Sequence, residues 1–515
     1  MSKNPEVNPL PRLTLPQMLR EQAKQHPGRI AIRQKDFGIW QGITWDDYYR
    51  RSSHVGLGLR ALGLSAGGHV GVLAENRIEW VLTQMGCGLV GGIAVGVYPT
   101  SPAPEVAYVL NHADVEVVVC EDQEQTDKVV EALDQLPHLR AIVVMETKGL
   151  RNADERVRDR ILSFADLETL GVEYEATHRH LVEETLAAQQ LEDIALMIYT
   201  SGSTGKPKGA MISYANIRGV APGIADRLGL SADTSHLSYL PLCHVAEQML
   251  TTFCPIYLGS TVAFGESIRT VQEDLREIAP TMFLGVPRIW EKLHSAISIK
   301  MQESGPLQRW LFDRAMAACA PFAHKAAAQR TAGERLTYAV WYWIILRALQ
   351  NFIGLRRAKV ALTGAAPIPP AVVQFFRTLG VPLVEVYGLT ESTGMITGQA
   401  ARCRPLRLGR HTHPRCRAPD RRARRAADPG RDGVRRLLQE PGGDRRQHPR
   451  RLAAHRRRGR GARRPALHRR SPEGHHDHRR RQEPDAVRDR EDDEGQPLHQ
   501  GSASSSPTGA SSFPR

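Results

Sequence analysis

Short apolar runs alternate with longer amphipathic stretches through the first 400 residues. Val70-Gly71-Val72-Leu73 reads as a buried strand that leads into a helix over about Ile78 to Val90. Ala94 to Tyr98 and then Glu105 to His112 repeat the strand–helix pair, and Val115 to Cys120 and Ala141 to Met145 add two more strands. A second series fits Ile194 to Tyr199, Ser235 to Leu240, Thr261 to Phe264, Met282 to Leu284, Lys359 to Thr363 and Pro382 to Tyr387, with helical segments between most of them. Apolar runs separated by helices predict a parallel α/β sheet. Two such series predict two layers in one large body. From Thr14 to Leu64 the pattern reads as dominantly helical, and no internal repeat is visible.

The strand ending at Tyr199 runs straight into Thr200-Ser201-Gly202-Ser203-Thr204-Gly205-Lys206-Pro207-Lys208-Gly209. Glycines let several backbone N–H groups turn toward one anion, and hydroxyls and ammonium groups add donors, so the loop suits phosphate. It is not a Walker A loop, which needs four residues before its Gly-Lys where Gly202 and Gly205 enclose two. A plain Gly/Ser linker would not carry two lysines directly after a buried strand.

This run resembles the phosphate-binding signature of the acyl-adenylate-forming (AMP-binding) superfamily. Tyr387-Gly388-Leu389-Thr390-Glu391-Ser392-Thr393 is similar to its second signature, and Leu240 to Glu247 and Thr363 to Ile368 fit two more, all in the family's order. The resemblance covers about residues 10 to 400. It implies an α/β fold: a large N-terminal adenylate-forming domain of layered, mostly parallel sheets with flanking helices. It also implies a two-step reaction, in which a carboxylate attacks the α-phosphorus of ATP and the thiol of coenzyme A then displaces AMP. Thr200, Ser201, Gly202, Ser203, Thr204, Gly205, Lys206 and Lys208 would hold phosphates. Gly364, Ala365, Ala366, Pro367, Tyr387 and Gly388 would line adenine. Thr390 would donate to the α-phosphate, Glu391 would ligate Mg²⁺, and His244 and Lys206 complete the catalytic set. Taken alone, Glu391 would read as an acid at a helix start and His244 as a core imidazole. Val286-Pro287-Arg288-Ile289-Trp290-Glu291-Lys292-Leu293, with the helical insert through Gln350, looks most like the long-chain fatty acyl-CoA synthetase branch. Pro287 starting a helix and Trp290 packing in its first turn would explain the same residues.

Charge divides the chain. The formal net charge is +14, yet residues 401–515 hold 31 Arg, no Lys and 14 Asp and Glu, so residues 1–400 sit at −3. That balance gives the large domain no basis for nucleic-acid binding. The tail also lacks Ile, Met, Asn, Tyr and Trp. It cannot bury enough apolar area to offset chain entropy, so residues 403–515 are predicted to be a disordered Arg-rich tail following a domain over 1–402. A nucleic-acid-binding arm would ordinarily mix Lys with Arg. The missing residues mostly have A/T-rich codons, which points to GC-rich DNA read out of frame.

The genetic code supports that reading. Shifted by one base, Gly409 to Pro419 permits V-G-T-P-I-P-G-V-E-L-R, and Leu452 to Arg457 permits W-L-H-T-G-D. The stretch from Arg470 permits D-R-L-K-D-I-M-I-T-A-G-G-K-N-L-T-P-S-E-I-E. These are similar, in order, to family segments beyond the second signature, including its ribose-binding aspartate and interdomain hinge. The frame is therefore expected to be lost between about Gly398 and Leu408. The resemblance then implies that the small C-terminal domain and its adenylation lysine are absent, leaving this chain impaired or inactive.

Seven scattered cysteines show no metal-ligand spacing and read as reduced thiols, and no apolar leader precedes the domain. A cytoplasmic location is expected. Tyr338 to Leu346 is too short to span a bilayer; it either fills a core or rests on a membrane surface. The alternatives to a fatty acyl-CoA synthetase are an adenylating ligase that loads a carrier protein and a non-enzymatic product whose tail binds nucleic acid.

Overall fold

Apolar strand runs become the inner strands of two eight-stranded sheets. The computed structural model describes residues 13–150, 157–200, 205–398 and the short strand Arg436–Leu437. One sheet runs, edge to edge, Gly394–Gly398, Leu383–Leu389, Val360–Thr363, Met282–Gly285, Ser235–Ser238, Thr261–Phe264, Ile30–Asp36 and Ile39–Thr44. The other runs Arg436–Leu437, Lys208–Ser213, Ile194–Thr200, Ile93–Val97, His69–Leu73, Val115–Cys120, Ala141–Val144 and Ile161–Ser163. Inner pairs are parallel. Antiparallel pairs stand toward the edges.

Strand alternation sorts the side chains into three cores. Val70, Val72, Val143, Met282 and Leu284 point into the core between the sheets. Phe283, Ala361 and Leu383 point to the outer face of the first sheet, where the helices of the insert cover them. Leu73, Val118, Ile142 and Val144 fill the outer face of the second. Each fully buried Val, Leu or Ile stabilises by about 1.5–3 kcal/mol against exposure. Pro287 does open a helix, Pro287–Gln302, and Trp290 is wholly buried. Its Nε1 donates to the Gly285 carbonyl at 2.9 Å and lies 3.2 Å from that of Leu362, tying two strands together.

One expectation needs correction. Residues 14–64 are mostly helical, in Leu15–Gln25 and Trp45–Ala61, but between these helices Ile30–Asp36 and Ile39–Thr44 form an antiparallel hairpin that the pattern did not predict. Phe37 and Gly38 turn it, both at positive φ. The second strand is mostly solvent-facing, so its apolar pattern is too weak to announce a strand.

Five cysteines lie within the described residues, all free and buried. No helix there is long and apolar enough to cross a membrane. The chain divides into units 1–447 and 448–515, and the second lies wholly outside the described residues.

Candidate active site

The residues singled out from sequence follow the carboxyl ends of strands from both sheets, where parallel α/β folds commonly bind ligands. Thr200 closes Ile194–Thr200, and His244 lies beyond Ser235–Ser238. Gly364 follows Val360–Thr363, while Tyr387 and Gly388 belong to Leu383–Leu389. Two cavities open among them. The larger, about 1030 Å³, is lined by Ser101, Glu105, Tyr108, Tyr199, Gly205 and Lys206 among others. The smaller, about 520 Å³, has an aliphatic wall that includes Ile224, Leu228, Met249, Leu250 and Leu284, and a second wall of Gly364, Ala365, Tyr387 and Gly388. Tyr98, Thr200, His244 and Thr390 line both. They mark a junction.

The phosphate-loop motif joins two antiparallel strands, Ile194–Thr200 and Lys208–Ser213, so it is a hairpin loop and not a strand-to-helix turn. Ser201, Gly202, Ser203 and Thr204 lie outside the described residues. The far limb docks on helix Ala103–His112. There the Tyr108 hydroxyl donates to the Pro207 carbonyl, and the Lys206 ammonium lies over the Tyr108 ring. His112 Nδ1 and the Tyr199 hydroxyl are 2.8 Å apart, and burial pushes the Tyr199 phenol up, so it stays protonated. Lys208 opens its strand opposite Thr200, exposed, and lines neither cavity; Ala366 and Pro367 are likewise exposed beside the smaller one.

His244 caps the short helix Val245–Gln248, its Nδ1 accepting from the Ala246 N–H at 3.1 Å. Burial lowers its pKa, against an opposing pull from the Glu247 carboxylate, so the ring is neutral at pH 7. With Nδ1 accepting, the ring proton sits on Nε2, leaving a donor for a ligand oxygen. Glu247 is fully buried below and accepts from the Thr251 hydroxyl at 2.7 Å.

Asn76 and Tyr98 are site-building residues that no motif announced. Asn76 Nδ2 donates to the Ser238 hydroxyl at 2.8 Å and to the Leu240 carbonyl, while its Oδ1 accepts from the Leu242 N–H. That pins the loop carrying His244. Gly96 lets this loop approach, since a Cβ there would sit 2.9 Å from the Cys243 Cα. The available signal was positional: both Asn76 and Tyr98 lie just past strand carboxyl ends.

Thr390 is buried and Glu391 exposed on a single 3₁₀ turn, closed by Thr393 at φ 59° and Gly394 at φ 114°. No group of three or more potential metal-ligating side chains occurs among the described residues. One accessible carboxylate at a cavity mouth nevertheless fits Mg²⁺, which is commonly held by one or two carboxylates plus substrate phosphates and water.

The long-chain-fatty-acid–CoA ligase ACSBG2 of Xenopus laevis is 30% identical over 396 residues, 76% of this chain and 52% of that protein. ACSBG2 of Homo sapiens is 30% identical over 390 residues, 74% of this chain and 57% of that protein. The chain thus spans about half the length of the curated relatives it matches. A long-chain-fatty-acid–CoA ligase from Archaeoglobus fulgidus shares the fold with a TM-score of 0.54 at 18% identity, covering 76% of this chain and 66% of that one. The inhibitor-bound N-terminal domain of FACL13 from Mycobacterium tuberculosis gives 0.52 at 18%, covering 76% and 79%. The model of the AMP-binding enzyme family matches residues 19–419, a span that takes in both sheets' inner strands and all four motifs, and the chain belongs to that family.

Proposed function

We propose that this protein's lineage activates a long-chain fatty acid with ATP, first to an acyl-adenylate and then to the coenzyme A thioester. The carrying observation is the junction: a phosphate-loop cavity and a partly aliphatic cavity share Tyr98, Thr200, His244 and Thr390. An acyl chain along Ile224, Leu228, Met249 and Leu250 would bring its carboxylate to those shared residues. Adenine would lie against Gly364, Ala365, Tyr387 and Gly388, with the β- and γ-phosphates in the hairpin loop beside Lys206. A carboxylate oxygen then attacks the α-phosphorus, and the bond to pyrophosphate breaks. In the second step the coenzyme A sulfur attacks the acyl carbon and AMP leaves. Two anions must meet, so the site has to supply compensating donors before attack. Thr390 and the Nε2–H of His244 serve that end, and Lys206 serves the departing phosphates. Mg²⁺, when bound, offsets phosphate charge, and Glu391 is the residue here that would hold it.

Three finer points belong to the same reading. The acceptor is coenzyme A, as in the ligases the chain resembles. The protein works in the cytoplasm, peripheral to a membrane that holds its substrate. The frame is lost between about residues 398 and 408, so the Arg-rich sequence stands where the ribose-binding aspartate would otherwise follow. The test is hydroxylamine trapping of acyl-adenylate from ATP, Mg²⁺ and hexadecanoate, using this chain and a frame-restored one. The restored chain is expected to form hydroxamate only with all three components. A restored, folded chain that binds ATP yet forms none with any fatty acid overturns the reading.

A further inference from the structure

Helix Ala332–Trp341 continues through a π turn, Tyr342–Leu346, into Arg347–Phe352. Tyr338, Trp341, Ile345, Leu346 and Leu349 pack toward the core of the insert. The opposite side is apolar as well. Leu336, Val340, Trp343 and Ile344, spaced i, i+4, i+7 and i+8, are 67, 47, 68 and 49% exposed. A surface helix normally sets charged and polar residues on that stripe. Helix Pro306–Cys319 packs beside it and adds Leu307 and Trp310, also more than half exposed.

Cations accompany this apolar surface. The Arg314 guanidinium lies 5.8 Å from the Trp310 ring centre, and Arg347 lies 4.8 Å from that of Trp343. Each pair spans one helical turn. Residues 305–347 carry six Lys and Arg against two carboxylates, and one of these, Glu334, is held by Lys325. Residues 1–400 as a whole are slightly acidic, so the excess positive charge is local to the insert. Exposed tryptophans with arginines one turn away match the boundary between acyl chains and anionic headgroups, where the ring sits at headgroup level and the cation meets phosphate.

We infer that this face of the insert docks on an anionic lipid bilayer. The fatty-acid reading supplies its purpose, delivery of substrate from the membrane, and the inference locates the membrane-facing side of that enzyme. Geometry and charge carry it independently of turnover.

The test uses the full chain without ATP. Vesicles of phosphatidylcholine alone and of phosphatidylcholine with phosphatidylglycerol are prepared with acyl-brominated lipid, and quenching of tryptophan fluorescence is read. The tail contains no tryptophan, so quenching reports the folded domain even if the tail's arginines also touch the vesicle. Quenching is expected with the anionic vesicles and much less with the neutral ones. Leu336→Ser/Ile344→Ser keeps both tryptophans and should weaken partitioning on the order of tenfold. Arg314→Glu/Arg347→Glu should do the same and abolish the preference for anionic lipid. Unchanged thermal unfolding identifies folded variants, and the unmodified chain alone already tests for quenching. Sedimentation with vesicles without quenching overturns the proposal and assigns binding to the tail. Equal quenching in folded variants overturns it too, as does concentration-dependent self-association lost in Leu336→Ser/Ile344→Ser, which makes the face a protein interface. A chain that docks but never forms acyl-adenylate when frame-restored refutes the enzyme reading and not the surface. The reverse result refutes only the surface.

Discussion

The Lys206 ammonium lies 5.1 Å from the centre of the Tyr108 ring, and the Tyr108 hydroxyl donates to the Pro207 carbonyl at 3.1 Å. One residue of helix Ala103–His112 thus fixes both the backbone and the cation of the phosphate loop's far limb. A cation–π contact of this exposure contributes about 0.5–1 kcal/mol, and a neutral hydrogen bond about as much. Tyr108→Phe keeps the ring and loses the hydroxyl; Tyr108→Ala loses both. ATP affinity by titration calorimetry is expected to fall about three- to fivefold in the first and about tenfold in the second. Equal affinity in all three proteins would mean that the loop is ordered by its own sequence.

His244 makes the fold sensitive to acid. Its folded pKa is lowered, chiefly by burial, so the folded state keeps the ring neutral while the unfolded chain takes up a proton near the ordinary value of about 6.5. The unfolded state then binds more protons as pH falls through that value, so His244's contribution to stability is steady above pH 7 and declines below about 6.5. Protonation would also end the Nδ1 acceptance of the Ala246 N–H. His244→Asn, whose side-chain oxygen can still cap the helix, is expected to flatten the loss of stability between pH 7 and 5. Denaturant midpoints across that range check it. A slope identical to the parent would assign the acid sensitivity to other groups.

Gly388 pairs with Met395 across the antiparallel strands Leu383–Leu389 and Gly394–Gly398. A Cβ at that position would lie 2.2 Å from the Gly394 carbonyl oxygen, a backbone atom that cannot swing aside. Gly388→Ala should therefore cost about 1–3 kcal/mol. It should also weaken ATP binding, because Tyr387 and Thr390 move with the hairpin. Ala365, at φ 68°, is the contrasting case. Ala365→Gly relieves about 1 kcal/mol of backbone strain and loses a similar amount to the entropy of a freer unfolded chain. Its melting curve should nearly overlay the parent's.

These two glycine arguments also show where sequence reading stops. The inner strands were legible because a strand covered on both faces must be apolar throughout, as Ala141–Val144 is. The hairpin at Ile30–Thr44 was not, because its outer strand is exposed and carries Trp40 and Gln41 where an apolar alternation would have signalled it. The phosphate loop and the Tyr387–Thr393 turn stood out as motifs, since glycine and hydroxyl residues cluster closely in sequence there. Asn76 and Tyr98 left no such trace. Each acts singly, and their proximity to His244 arises from sheet order, which brings Ile93–Val97 beside Ile194–Thr200 across nearly 100 residues of chain.

Glu391 should carry the metal dependence of nucleotide binding. It is exposed on its 3₁₀ turn, so Glu391→Gln is expected to leave the melting temperature within about a degree while removing an anionic oxygen. In chelator, parent and variant should bind ATP alike. With Mg²⁺ added, the parent should gain affinity and the variant should gain about tenfold less. A full metal-dependent gain in the variant would place the cation on phosphates and water alone.

The frame break gives the sharpest test, because two independent readouts must agree. Reading fresh template across codons 395 to 410 is expected to show a single-base insertion or deletion relative to this sequence, after which translation yields V-G-T-P-I-P-G-V-E-L-R and then D-R-L-K-D-I-M-I-T-A-G-G-K-N-L. The corrected chain would regain the aspartate and the hinge segment that the resemblance assigns to ribose binding and domain rotation. Its fatty-acid-dependent pyrophosphate release should exceed that of the present chain on the order of a hundredfold or more, the usual cost of removing a group that stabilises transition-state charge. ATP binding should differ far less, since the hairpin loop, Gly364 and Tyr387 precede the break. An unaltered template together with normal turnover by the present chain would overturn the frame reading and show that the Arg-rich sequence is compatible with catalysis by the two sheets alone.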